Sequence, residues 1–343
     1  MSLKNILINK NATISDAIRI INKNSSKTAI IIDKNKKILG LLSDGDIRRA
    51  IIKKIKLNSK ALNISTREPF VVPTNISLNK IKEIMRSNDL FQIPVVDKMQ
   101  KIVGLHDWNS INKTQFKINN YFLIMAGGYG RRLLPLTKTY PKPLLKVGNV
   151  SIIQRIIQNA KNYGFENFII STHYLASKIK KFCGDGNKWG VKIKYLNEKK
   201  PLGTAGCLYF LKKKLKQPIF ITNGDVVTSL DYQEMVKSHY LNNADITIAV
   251  QTNDTKVPFS IVKTEGLEIK SIVEKPVLSN YINAGIYVLS PNILNLIKTK
   301  KKIDMPDLIQ YSLNKKKKVF AFPLHENWED IGQNINQVKS FDE

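Results

Sequence analysis

The chain has 343 residues, 43% of them hydrophobic and 24% charged, a make-up that excludes disordered and fibrous classes and leaves room for two domains. No apolar run reaches the length of a membrane span, and the start Met-Ser-Leu-Lys-Asn-Ile has no signal-peptide core, so a cytoplasmic protein with no membrane partner is expected. The net charge of +28 would flag nucleic acid if it were concentrated. Instead it is spread over lysine runs at 212–216, 298–302 and 315–318 without interleaved aromatics, so nucleic acid is set aside and attraction of anionic nucleotides is the simpler consequence. Cys183 and Cys207 are too few for a zinc site or a disulfide framework and read as reduced packing residues.

Taken in chain order, the first feature is a repeat. Residues 28–40 (TAIIIDKNKKILG) are echoed by residues 92–104 (QIPVVDKMQKIVG), an offset of 64. Each copy predicts a helix, an apolar strand, an Asp-Lys turn, a second strand ending near Gly40 or Gly104, and a closing helix. Residues 15–22 and 78–88 supply the first helices. One copy cannot bury its sheet alone, but two stacked copies can. The pattern resembles a pair of cystathionine-β-synthase (CBS) motifs, a tandem or Bateman module. The resemblance implies an adenosine nucleotide between the halves, with Gly40, Ser43 and Asp46 matching the ligand pattern and Asp46 accepting from ribose. The second copy departs from it, with Gly104, Asp107 and Ser110 at the equivalent positions. A module that only packs or dimerises is the alternative, and a homo-oligomer stays open.

Polar residues 112–120 carry no strong period and predict a domain boundary near 117, giving units 1–116 and 117–343. Next comes residues 123–145, LIMAGGYGRRLLPLTKTYPKPLL. Residues 121–125 read as a buried parallel strand, and Ala126, Gly127, Gly128 and Gly130 form a loop whose backbone N–H groups can approach an anion. No Gly-Lys-Ser/Thr closes the loop, and Leu133 stands where a dinucleotide fingerprint needs its third glycine. Arg132 and Lys142, the latter between Pro141 and Pro143, add two cations suited to a triphosphate.

This stretch resembles the signature of the sugar-1-phosphate nucleotidyltransferases, Gly-Gly-x-Gly-x-Arg-Leu-x-Pro-Leu-Thr followed by Pro-Lys-Pro. Arg131 departs from it, since most members carry a small residue there. The elements that follow alternate: helix 151–161, strand 165–171, helix 175–182, strand 191–196, helix 204–215 and strand 218–221. Such alternation predicts an α/β fold with a doubly wound, mostly parallel sheet, whose ligands collect at the strands' carboxyl ends. The resemblance makes it a Rossmann-like, GT-A-like nucleotidyltransferase domain. Further expected elements are strands 246–251 and 260–262 and helices near 291–297 and 306–313, a sugar-side lid and sheet extension.

The resemblance then implies roles at these strand ends. Glu198, Gly203 and Thr204 match the base- and ribose-binding segment. A carboxylate only accepts, and guanine offers neighbouring N1–H and N2 donors, so GTP is favoured over UTP or dTTP. Asp225, in Asn-Gly-Asp, and Asp330, in Trp-Glu-Asp-Ile-Gly, are implied to share one Mg²⁺. Glu274 and Lys275 match the sugar-phosphate motif, with Asn283 and Gly285 beside the sugar ring. His173 and Tyr174 are candidates for lining the nucleotide pocket. The implied reaction is transfer of a nucleotidyl group from an NTP to a sugar 1-phosphate, without a covalent intermediate or general base.

The pairing of a CBS module with such a domain resembles enzymes that make GDP-linked glucosamine or N-acetylglucosamine for legionaminic acid synthesis. Mannose and heptose 1-phosphates stay open as acceptors, as does a non-catalytic nucleotide sensor.

Overall fold

The computed structural model describes residues 3–331 apart from 25, 89, 109–110, 112–117 and 213–214. Two compact units result, 1–115 and 116–343, and the expected boundary near 117 falls on residues outside the described set.

In the first unit the offset of 64 holds down to the hydrogen-bond register. Leu7–Asn9, Thr28–Ile32 and Ile38–Ser43 form one three-stranded sheet, and Val72–Pro73, Gln92–Val96 and Ile102–Asp107 form the other. Thr28 pairs with Ser43 and Gln92 with Asp107, and the bulge between Ile31 and Ile32 recurs between Val95 and Val96. The middle strand of each sheet is buried along four consecutive residues, so both of its faces are covered. Helix Ile14–Lys23 starts at a capping box of Thr13 and Asp16 and buries Ile14, Ala17 and Ile21, one face at helical spacing. Helix Leu78–Ser87 repeats the arrangement with Ser77 as cap and Ile81 and Met85 inside. Ile6, Ile30 and Ile102 form a small cluster joining the two copies. Of the second copy's closing helix only Trp108 and Ile111 are described, packed against that copy's core, and Ser110 lies outside the described residues.

The second unit is built on a seven-stranded sheet. Its order is Lys192–Asn197, Asn167–Thr172, Phe122–Met125, Ile219–Asn223, Val277–Leu289, Ile246–Lys256, Val319–Pro323. Only Val277–Leu289 runs against its neighbours, so the sheet is mostly parallel. Phe122 lies at its centre, fully buried, stacked on Phe220 at 4.8 Å and edge-on to Phe165 at 5.0 Å. Truncating such a side chain to alanine costs about 3–5 kcal/mol. Helix Ile152–Asn162 covers one face with Ile152, Ile153, Ile156, Ile157 and Ala160. Between helix Tyr232–Leu241 and the sheet, His239 is bonded to Thr247 and Ser290 at 2.9 Å each, and burial pushes its imidazole down to about 4. Cys183 and Cys207 are free and buried, their thiols pushed up to about 12 by burial.

Three expectations need correction. The helix over 204–215 is only a turn, Gly203–Gly206, followed by 3-10 backbone over Cys207–Leu211. Gly203 just before its start and Gly206 within it weaken the helix, and tertiary packing fixes both instead. The strand expected over 246–251 extends to Lys256, and that over 260–262 spans Ile261–Glu265. Both extensions are exposed, so no burial pattern marked them in the sequence. Among the described residues, no helix is long and apolar enough to cross a membrane.

Candidate active site

Three parallel strands deliver the site. Met125 pairs with Ser171 on one side and Asn223 on the other, so all three strands end at one level. The chain leaving the central strand is anchored by Ala126 N donating to Ser171 O at 3.0 Å, and Gly224 N donates to Met125 O at 2.9 Å. Gly130 has φ +65°, and a Cβ there would lie 2.8 Å from Thr137 Cγ2, so only glycine fits the turn. The Thr137 hydroxyl closes that turn on Gly130 O at 2.8 Å. A Cβ on Gly128 would meet nothing within 4 Å. That face is open to a cavity of about 340 Å³ lined by Gly128, Gly130, Arg131, Arg132, Lys142 and Asp225 among others.

The charged centre of the cavity is Lys142. It stands on the short 3-10 turn Lys142–Leu144, and its Nζ ion-pairs with Asp225 and, at 3.6 Å, with Asp330. The two aspartates come together because Trp328–Asp330 pairs antiparallel with Val226–Thr228, placing Asp330 opposite Val226. Ile331 N donates to Asp225 O at 3.1 Å, and Trp328 Nε1 donates to Ala284 O at 2.8 Å, tying this strand to the main sheet. The side chains of Lys142, Asp225 and Asp330 are 11%, 25% and 23% exposed, so screening by water is reduced. A single ammonium already contacts both carboxylates. Two hard oxygen donors around one positive centre are the donor set that a small divalent cation takes.

Glu198 lies beside the loop, its Oε1 3.3 Å from the position of a Cβ on Gly127. Its carboxylate is already engaged: the Ser171 hydroxyl donates to Oε1 at 2.5 Å and Leu202 N to Oε2 at 2.9 Å. Each oxygen keeps a second lone pair. His173 Nδ1 bonds Glu198 O at 2.9 Å, and Tyr174 donates its hydroxyl to Thr137 O and Lys138 O at 3.1 and 2.8 Å.

Other expected site residues make contacts within the protein. Gly203 has φ +75°, and a Cβ there would lie 2.5 Å from Asp304 Oδ1 and 2.6 Å from Ile303 O. Gly206 likewise makes room for Lys301 O, and Thr204 is spent on Asp304 and on Met305 N. This segment accommodates residues 301–305. Gly285 makes room for Asn223, whose Nδ2 would be 2.5 Å from its Cβ, and Asn283 accepts from Gly285 N at 3.0 Å. Glu274 and Lys275 are 67% and 68% exposed, pair with each other at 3.8 Å and do not line the cavity. In the first unit, Ser43 caps helix Asp44–Ile52 and Asp46 completes the capping box, accepting from Ser43 N and Oγ while pairing with Arg49. The structure therefore gives Ser43 and Asp46 a capping role.

Sequence reasoning passed over Tyr129, the variable residue of the glycine loop. Its only signal was His173-Tyr174, one residue past the neighbouring strand.

A family model described as nucleotidyl transferase matches residues 121–340, and a CBS domain model matches residues 1–53 and 61–105. The chain belongs to the nucleotidyl transferase family, with an α/β nucleotidyltransferase fold and CBS domains at its amino-terminal side. The mannose-1-phosphate guanyltransferase of Debaryomyces hansenii is 35% identical over 228 residues, covering 62% of this chain and 60% of that protein. The mannose-1-phosphate guanylyltransferase catalytic subunit beta of Xenopus tropicalis is 32% identical over 219 residues, covering 62% and 61%. The matches thus span about 60% of the length of these curated relatives. A solved structure of HddC from Yersinia pseudotuberculosis complexed with GMP-PN superposes with a TM-score of 0.51 at 25% identity, over 63% of this chain and 95% of that one.

Proposed function

We propose that the chain transfers a guanylyl group from GTP to a sugar 1-phosphate, giving a GDP-sugar and pyrophosphate. The observation that carries this reading is Lys142 held between Asp225 and Asp330 at a cavity rimmed by the glycine loop and Arg132. A sugar phosphate oxygen attacks the α-phosphorus in line. The new bond joins that oxygen to phosphorus, and the electron pair of the broken Pα–O bond leaves on pyrophosphate. A phosphate monoester is already an anionic nucleophile, so no general base is needed and catalysis is positioning with charge neutralisation.

In this reading the backbone N–H groups of Ala126 to Gly130 and the Arg132 guanidinium hold the triphosphate. Asp225 and Asp330 would hold Mg²⁺, which supplies Lewis-acid neutralisation at the phosphates. Lys142, released from one or both carboxylates when the metal is bound, adds its charge to the polyphosphate. Glu198 faces the base through its remaining lone pairs. In this reading Glu274 and Lys275, on an exposed arm outside the lining of that cavity, would take the sugar phosphate. Asn283 borders the same arm.

The names of the curated relatives favour mannose 1-phosphate as acceptor. The joining of a CBS module to the transferase unit favours an aminosugar 1-phosphate, as in legionaminic acid synthesis. The test is pyrophosphate release by the full chain with Mg²⁺ across a panel of NTPs and of mannose, glucosamine, N-acetylglucosamine and heptose 1-phosphates. Release with GTP and one hexose 1-phosphate is expected. Nucleotide binding without release from any pair would establish a sensor instead. An adenosine nucleotide between the CBS copies is a separate proposal, to be read as a thermal shift.

A further inference from the structure

Charge balance at the cavity singles out Arg131. Three cations, Arg131, Arg132 and Lys142, line the cavity with the Asp225 carboxylate, while Asp330 pairs with Lys142 and the Glu198 carboxylate beside the loop accepts from Ser171 and Leu202. Lys142 is committed to the aspartates, whereas among the described residues no carboxylate pairs with Arg131 or Arg132. The Arg131 guanidinium stands over the Tyr129 ring, its Cζ 5.4 Å from the centroid. Such a cation–π contact is made with the ring's π-face and consumes no N–H donor of the guanidinium.

Tyr129 is itself held. Its hydroxyl lies 3.2 Å from His173 Nε2, and its ring packs on Tyr174 at 5.2 Å. His173 Nδ1 faces the Glu198 carbonyl, which can only accept, so Nδ1 carries a proton, and in the neutral ring Nε2 is left to accept from the Tyr129 hydroxyl. The fixed sequence of contacts runs from the backbone of Glu198 through His173 and Tyr129 to the guanidinium. Both Tyr129 and Arg131 line the cavity.

We infer that Arg131 is a second polyphosphate-binding arginine, and that Tyr129 and His173 are the positioning residues that aim it. The role in turnover rests on the function proposed above, but affinity for inorganic pyrophosphate is measurable without it. Arg131 contacts the polyphosphate in substrate and product alike, so its loss acts on KM and pyrophosphate affinity more than on kcat.

The test is calorimetric titration of the full chain with pyrophosphate and Mg²⁺, alongside steady-state kinetics with the active NTP. Arg131→Thr should weaken pyrophosphate binding about tenfold, the scale of one charge-assisted contact, and raise KM for the NTP by a similar factor. Arg131→Lys, which keeps the charge but not the planar fork of donors, should lose roughly threefold. Tyr129→Ala should approach Arg131→Thr, and the double variant should be little worse than Arg131→Thr alone, because the ring acts through the guanidinium. Tyr129→Phe keeps the ring and reads the His173 bond alone, with an expected loss of about twofold. Unchanged pyrophosphate affinity in Arg131→Thr, additive losses in the double variant, or no pyrophosphate binding by the unaltered chain would overturn the inference. If the unaltered chain binds pyrophosphate but releases none from any substrate pair, the function above fails while the titrations still decide Arg131. If it turns over normally and Arg131→Thr matches it in both KM and affinity, only the inference fails.

Discussion

Lys142 acts as the counter-ion of two aspartates before any ligand arrives. Lys142→Ala would leave Asp225 and Asp330 facing each other without a positive charge, destabilising the fold by about 1–2 kcal/mol at this partly exposed site. It should also lower kcat roughly a hundredfold, the scale of a single electrostatic stabiliser. Mg²⁺ should then raise the melting temperature of the variant more than that of the unaltered protein, because the ion replaces the missing ammonium. Melting curves in Mg²⁺ and in EDTA check this, and equal metal responses would count against a shared cation site. The presence of these cations at the cavity was legible in the sequence, since Arg132 and Lys142 lie within 16 residues of Gly127. The partners of Lys142 were not, because nothing local in residues 142–144 points to a strand at 328–330.

Among the elements, the short helix Gly203–Gly206 shows how a motif can hide its reason. Its glycines suggest close approach of a nucleotide, yet the atoms that would meet their Cβ groups belong to residues 202 and 301–304. Gly203→Ala would force alanine into φ +75° against Ile303 O and Asp304 Oδ1. A loss of roughly 2–3 kcal/mol in urea unfolding is expected. A variant that unfolds like the unaltered protein but shows a raised KM for nucleotide would restore the ligand-facing role. Gly285 follows the same logic against Asn223, which leads into the Gly224-Asp225 turn. Steric reasons of this kind cannot be read from sequence, because they depend on which distant segment lies against the glycine.

At the scale of the whole molecule, the charge of +28 acts through its field. Raising ionic strength from about 0.05 to 0.5 M shortens the screening length from about 14 to 4 Å and should raise KM for NTP several-fold while kcat changes less. A salt-independent KM would confine the attraction to contacts at the cavity. By itself the sequence determined the repeat and its offset, the mostly parallel sheet and the glycine loop, because hydrophobic period and turn chemistry are local properties. Only the tertiary structure decided that Asp225 and Asp330 share Lys142, that Ser43 and Asp46 cap a helix, and that Arg131 rests on Tyr129. Each of these contacts is set by strand pairing or side-chain direction: the first depends on segments far apart in the chain, and the other two on which of several local partners a polar or charged side chain takes.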